Sequence, residues 1–162
     1  MRYISVLSVL LILQSGCSLS GNKIIAPVTA AEINYTKADF IKLKWIEGKW
    51  KGMDEDKPFY EIYEFINDST IVTISYDWNG KDSSNSFTDH LYWKDGLFYL
   101  GDKQDWAVKA INDSMVQMLP NSSRIHNDIT WIAKGPGRWD AVLVSPKGTK
   151  EYHMEKFDPF TK

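Results

Sequence analysis

Turn sequences divide most of this chain into ten short segments. Asn, Asp and Gly dominate the turns, as in Asn79-Gly80, Asp95-Gly96 and Asn112-Asp113. Asn and Asp tolerate positive φ angles and Gly adopts them freely, which tight hairpins require. We expect a strand in each segment between turns, at residues 48–53, 59–66, 70–78, 84–93, 97–101, 105–111, 114–119, 127–133, 138–145 and 149–157.

Alternating side chains support the strand prediction. In the third segment Val72, Ile74, Tyr76 and Trp78 share one face, because every second residue of a strand points the same way. Consecutive hairpins without a long crossover indicate an all-β, antiparallel up-and-down sheet. Closing this sheet into a barrel of about ten strands removes its exposed edges. A flat two-layer sandwich is the alternative.

A short helix is expected before the first strand. Thr36 can cap a helix from Ala38 to about Ile46, with Phe40 and Leu43 on the same side as Ile46. Glycine at position 48 lets the chain turn tightly out of this helix. The side chain of Trp50 is large, and we expect it to fill one end of the barrel.

The stretch 45–52 reads Trp-Ile-Glu-Gly-Lys-Trp-Lys-Gly. Its Gly48-Lys49-Trp50 resembles the Gly-x-Trp signature of lipocalins and the wider calycin-like barrels. The longer Trp-Ile-x-Gly-x-Trp-x-Gly resembles the opening of bacterial lipocalin-like domains. The resemblance implies a small barrel over residues 36–162, and it implies no particular activity.

Residues 1–16 have the pattern of a secretory signal peptide, with a basic start at Arg2 and an apolar run from Ile4 to Leu13. The run is too short to span a bilayer, which takes about 20 residues. Gly16-Cys17 resembles a bacterial lipobox, in which the cysteine is acylated, for example with palmitate. The resemblance implies an envelope lipoprotein held in a membrane, expected to be the outer membrane, through Cys17. Ordinary secretion with a free thiol is the alternative.

The segment after Cys17 is expected to be a tether, because residues 17–35 are rich in Ser, Gly, Ala and Thr. The chain has a formal charge of −2, and removing residues 1–16 with Arg2 would make it −3. We therefore expect no nucleic-acid partner, because such proteins carry a clustered basic face. The three histidines show no metal-ligand spacing, so no metal site is predicted.

Aromatic residues are the candidate binding groups, with seven Trp, eight Tyr and seven Phe in the chain. Most should fill the core. We expect some to line a mostly apolar cavity reached from the end opposite Trp50 and taking a small apolar or aromatic ligand. The residues predicted for its wall are Tyr63, Tyr76, Trp131 and Trp139.

Several alternatives stay open at this point. A filled barrel would instead meet an envelope protein as an interaction or inhibitor module. Asp-Trp neighbours such as Asp77-Trp78 would suit a sugar. The position of His153 on the last strand resembles that of the iron ligand in some ten-stranded haem-binding barrels. The chain has no Gly-x-Ser-x-Gly and no Gly-rich phosphate loop, so we assign no catalytic residue and no cofactor.

Overall fold

The computed structural model describes residues 33–158. The predicted signal peptide, Cys17 and tether residues 17–32 lie outside the described part of the chain. A 3-10 helix, Lys37–Ile46, precedes the strands. The strands are β1 (Gly48–Asp54), β2 (Lys57–Asn67), β3 (Thr70–Trp78), β4 (Ser83–Lys94), β5 (Leu97–Leu100), β6 (Trp106–Asn112), β7 (Met115–Pro120), β8 (Asp128–Ala133), β9 (Arg138–Ser145) and β10 (Gly148–Lys156).

The ten strands form a closed barrel in which each strand pairs antiparallel with its neighbour along the chain. The first strand pairs with the last, placing Trp50 opposite Lys156 and Lys51 opposite Glu155. The predicted up-and-down barrel is therefore confirmed, and the two-layer sandwich is excluded. No helix among residues 33–158 is long and apolar enough to cross a bilayer.

The hairpin turns follow the expected chemistry. Asp95 and Gly96 have φ angles of 50° and 86°, the left-handed region that a two-residue hairpin needs. The sequence Ile-Asn-Asp-Ser occurs at residues 66–69 and 111–114, and the two turns are closed in the same way. The side-chain oxygen of Asn67 accepts a hydrogen bond from the Ser69 amide at 2.8 Å, and the equivalent distance at Asn112 is 2.9 Å.

The helix closes one end of the barrel, where β1 begins. Phe40, Leu43 and Ile46 are its buried residues. Their spacing of three places them on one face of a 3-10 helix, which has three residues per turn. The helix start is stabilised by the Asp39 carboxylate, which accepts hydrogen bonds from the amide and hydroxyl of Thr36 at 2.9 Å each. We call this end the closed end.

Trp50 fills the closed end, as predicted. It is 2% exposed, and its indole Nε1 donates a hydrogen bond to the Ile46 carbonyl at 2.6 Å. The ammonium of Lys156 lies 4.0 Å from the ring centroid, within cation–π range. The turn into β1 requires glycine, because Gly48 has a φ of 124° and a Cβ there would lie 2.3 Å from Lys156 Nζ.

Candidate functional site

A cavity of about 340 Å³ lies inside the barrel, against β1, β2, β8, β9 and β10. Its wall extends to Asp54, the last residue of β1, so it lies toward the end of the barrel away from the helix. We call this end the open end. The volume falls within the range of about 300–1,000 Å³ found for small-molecule sites. Part of the wall is aliphatic, from Ile129, Ala141, Leu143 and Met154.

Aromatic rings form most of the remaining wall. Tyr63, Trp131 and Trp139 contact one another edge to face, with ring centroids 5.5–5.7 Å apart. Phe59 and Tyr152 form a second such pair at 5.3 Å. These geometries are favourable for aromatic pairs, so the rings hold one another in place. Nε1 of Trp139 is buried without a hydrogen-bond partner among the described residues, which leaves a donor that a ligand or water can satisfy.

One carboxyl group, that of Glu61, lies within this aromatic wall. It accepts a hydrogen bond from the Tyr63 hydroxyl at 2.8 Å and a longer one from the Ser75 hydroxyl at 3.3 Å. Burial raises the pKa of Glu61, and the two hydrogen bonds only partly offset that rise. Burial also raises the pKa of Tyr63 well above its ordinary value, so its hydroxyl stays a proton donor at neutral pH.

An ion pair stands at the open end. Asp54 lines the cavity, and its carboxylate lies 2.5 Å from the ammonium of Lys150. The same ammonium lies 5.0 Å from the centroid of the Tyr152 ring. The hydrogen bond to Asp54 is the main cause of a raised pKa at Lys150. Asp54 therefore already has a cationic partner.

The structure brings together three of the four residues predicted for the cavity wall: Tyr63, Trp131 and Trp139. Tyr76 lies elsewhere. It is opposite Tyr60 in the β2–β3 pair, and the two rings are 5.7 Å apart. Glu61 faces the cavity, so its neighbour Tyr60 and the paired Tyr76 face the outside of the barrel, because adjacent residues point to opposite faces.

Glu61 was not predicted as a site residue, although the sequence contains a signal for it. Phe59, Tyr63 and Phe65 occupy alternate positions of β2, and Glu61 is the one acid in that series. Their shared face is apolar and aromatic. A carboxyl group on such a face needs polar partners, and here it lines the cavity.

Two other clusters bring a histidine against carboxylates outside this cavity. They place potential metal-ligand atoms within 4.8 Å of one another and comprise Asp89, His90 and Asp102, and Asp140, Glu151 and His153. Nδ1 of each histidine lies 2.8 Å from an aspartate oxygen, so each cluster is held together by its own polar contact. His153, considered above as a haem ligand, pairs in this way with Asp140.

The buried Asp140 is the electrostatic centre of the second cluster. Its carboxylate contacts His153 at 2.8 Å and Lys134 at 3.0 Å. Burial alone would raise the pKa of Asp140, but hydrogen bonds from His153 and Lys134 outweigh burial and lower it. The same hydrogen bond is the largest cause of a raised pKa at His153, with a smaller contribution from Glu151. The cluster therefore favours the charged forms of both Asp140 and His153 on the outer face of the barrel.

No protein-family model matches this chain, and no curated protein matches its sequence. The closed ten-stranded antiparallel barrel is compatible with a lipocalin-like domain.

Proposed function

We propose that this protein is a bacterial envelope lipoprotein whose lipocalin-like barrel binds a small ligand with an apolar or aromatic body. The observation that supports ligand binding is the cavity of about 340 Å³ with its five aromatic rings. The barrel topology and the Gly-x-Trp stretch at the closed end support the lipocalin-like assignment.

Apolar burial limits the affinity such a ligand can reach. Hiding about 300 Å² of apolar surface contributes about 7.5 kcal/mol, at about 25 cal/mol per Å². That free energy corresponds to a dissociation constant of a few micromolar before association costs weaken it. Binding experiments should therefore cover ligand concentrations from about 1 μM to about 1 mM.

The membrane part of the proposal rests on Gly16-Cys17 at the end of the apolar run. Acylation of Cys17 would anchor the protein in the envelope, and the following Ser- and Ala-rich segment would hold the barrel away from the lipid surface. The alternative of a filled barrel that meets a protein partner is less well supported, because the barrel interior contains a cavity.

Filling the cavity tests the proposal directly. Ala141 lines the cavity, and Ala141→Leu adds three carbon atoms to its wall. Val144→Leu is the matched control, because it enlarges an exposed side chain on the same strand. Suitable probes are 2-(1-naphthyl)ethanol and 2-(1-naphthyl)ethylamine, measured by titration calorimetry of the full chain in phosphatidylcholine nanodiscs, with empty nanodiscs as the blank.

We expect wild type and Val144→Leu to bind at least one probe with the same affinity, and Ala141→Leu to bind about tenfold more weakly or not at all. Equal binding by all three proteins would place the probe outside the cavity. Native mass spectrometry of protein isolated with its own membrane tests for a retained ligand in parallel. Absence of binding of both probes to the wild type, together with no retained ligand, would contradict ligand binding altogether.

A further inference from the structure

The charged groups that line the cavity are both acidic. Asp54 and Glu61 contribute carboxylates, and no Lys, Arg or His is among the described lining residues. Asp54 is already paired with Lys150 at the open end. Glu61 differs from it, because within residues 33–158 its polar contacts are two hydroxyl groups and it makes no ion pair. As far as residues 33–158 show, the cavity therefore contains one carboxylate without a cationic partner.

The Glu61 carboxylate is held in position but not saturated. Tyr63 donates to Oε2 and Ser75 donates to Oε1, so each oxygen accepts one hydrogen bond from the described part of the protein. A carboxylate offers about four acceptor positions, which leaves roughly one on each oxygen for a donor in the cavity. Tyr63 and Ser75 lie on neighbouring strands, so the position of the carboxylate is fixed by the sheet.

The surroundings of Glu61 favour a positive charge. Rings in the cavity wall, among them Trp131 and Trp139, can attract a cation through their negative faces. An anionic ligand would meet the Glu61 carboxylate, which has no cationic partner among the described residues. A neutral ligand would leave the Glu61 charge unpaired among aromatic rings, where burial already disfavours it.

We infer that the ligand carries a protonated amine that pairs with Glu61, while its aromatic or apolar body lies against the rings of the cavity wall. This inference rests on the proposed function and names the chemical class of ligand for that site. The occupant is an organic cation of small size, such as an arylalkylamine. The amine takes the open acceptor positions on the carboxylate, and no proton transfer or covalent step is involved.

A series of three probes with one ring system and different charge tests the inference. They are 2-(1-naphthyl)ethylamine, 2-(1-naphthyl)ethanol and 1-naphthylacetate, titrated by calorimetry into the full chain in phosphatidylcholine nanodiscs. We expect the amine to bind about ten- to a hundredfold more tightly than the alcohol, because it forms a charge-assisted hydrogen bond to Glu61 that the alcohol cannot form. The acid should bind most weakly.

Glu61→Gln keeps the size of the side chain and removes its charge. We expect it to reduce the amine affinity about tenfold or more and to change the alcohol affinity by less than about threefold. Glu64→Gln is the matched control, because Glu64 lies on the exposed outer face of the same strand and its substitution changes the net charge equally. This control should bind all three probes as the wild type does.

The outcomes separate the two proposals. If the alcohol binds and the amine binds no more tightly, the cavity takes a ligand and the assignment of an amine is wrong. The same conclusion follows if Glu61→Gln keeps the full preference for the amine. If no probe binds the wild type and native mass spectrometry finds no retained ligand, both proposals fail. The comparison of the three probes on the wild type decides the matter even if Glu61→Gln does not fold.

Discussion

Replacing Trp50 with alanine is expected to lower the free energy of unfolding by about 4–5 kcal/mol. The side chain is 2% exposed, and truncation of a buried Trp or Phe to Ala costs about 3–5 kcal/mol. The upper part of that range applies because the Ile46 carbonyl loses its indole partner at 2.6 Å. Lys156 also loses the ring that lies 4.0 Å from its ammonium.

Two further variants separate the causes of this loss. Trp50→Phe keeps most of the ring volume but removes the N–H donor, so we expect a loss of about 2 kcal/mol. Trp45→Ala truncates a partly exposed Trp at the same end of the barrel and should cost less than Trp50→Ala. Chemical denaturation in urea, followed by far-ultraviolet circular dichroism, measures all three.

The transition midpoints should move while the slope of free energy against urea stays constant. A single domain is stabilised by about 5–15 kcal/mol in total, so the Trp50→Ala variant retains only part of its stability. A loss below about 2 kcal/mol for Trp50→Ala would refute the reasoning, since it lies under the range for buried aromatic residues. Equal losses for the Ala variants of Trp45 and Trp50 would refute it too.

Three further predictions concern other parts of the molecule. In Gly52→Ala the new Cβ would lie 2.3 Å from Cζ of Phe59, so we expect a loss of about 1–3 kcal/mol in urea denaturation and weaker probe binding; unchanged stability and binding would contradict the close approach. Asp140→Asn should lower the melting temperature most between about pH 4 and 6.5, and by less below and above that range. The lowered pKa of Asp140 gives stability that is lost as pH falls through it, and the raised pKa of His153 gives stability that is lost as pH rises through it; thermal melts showing a difference independent of pH would argue against this pairing. Cys17→Ala should release the protein from the membrane fraction or leave the signal peptide uncleaved, and fractionation and gel migration like those of the wild type would exclude the lipid anchor.

The strands could be predicted from the sequence because their boundaries are set by local turn chemistry. Each observed strand begins and ends within two residues of its expected position. Turns such as Asp95-Gly96 need positive φ angles, and few residue types supply them. The helix was also predicted, with Phe40, Leu43 and Ile46 on one side, but its 3-10 form was not specified. That form keeps all three residues directed at the core, which depends on the packed barrel.

The inner face of the barrel was harder to predict than its strands. Alternation shows which residues of a strand share a face, but it does not show which face points inward. Tyr76 shares a face with three apolar residues, and only its pairing with Tyr60 across the sheet places that face outside. Glu61 was not predicted for a related reason. Whether a polar residue in the cavity wall can take part in binding depends on neighbours from other strands, here Ser75.

The pairing of β1 with β10 affects how the barrel is assembled. Every other strand pair joins neighbours along the chain, so nine hairpin-like contacts can form between segments a few residues apart. The last pair joins Trp50 to Lys156, and bringing together the ends of a flexible loop of about 100 residues costs about 4 kcal/mol. Until β10 docks on β1, the sheet has two open edges with unpaired amide and carbonyl groups, which favour association between chains. Docking of the final strand thus completes the wall of the cavity. It also pairs the last open edges of the sheet and so protects the polypeptide against aggregation.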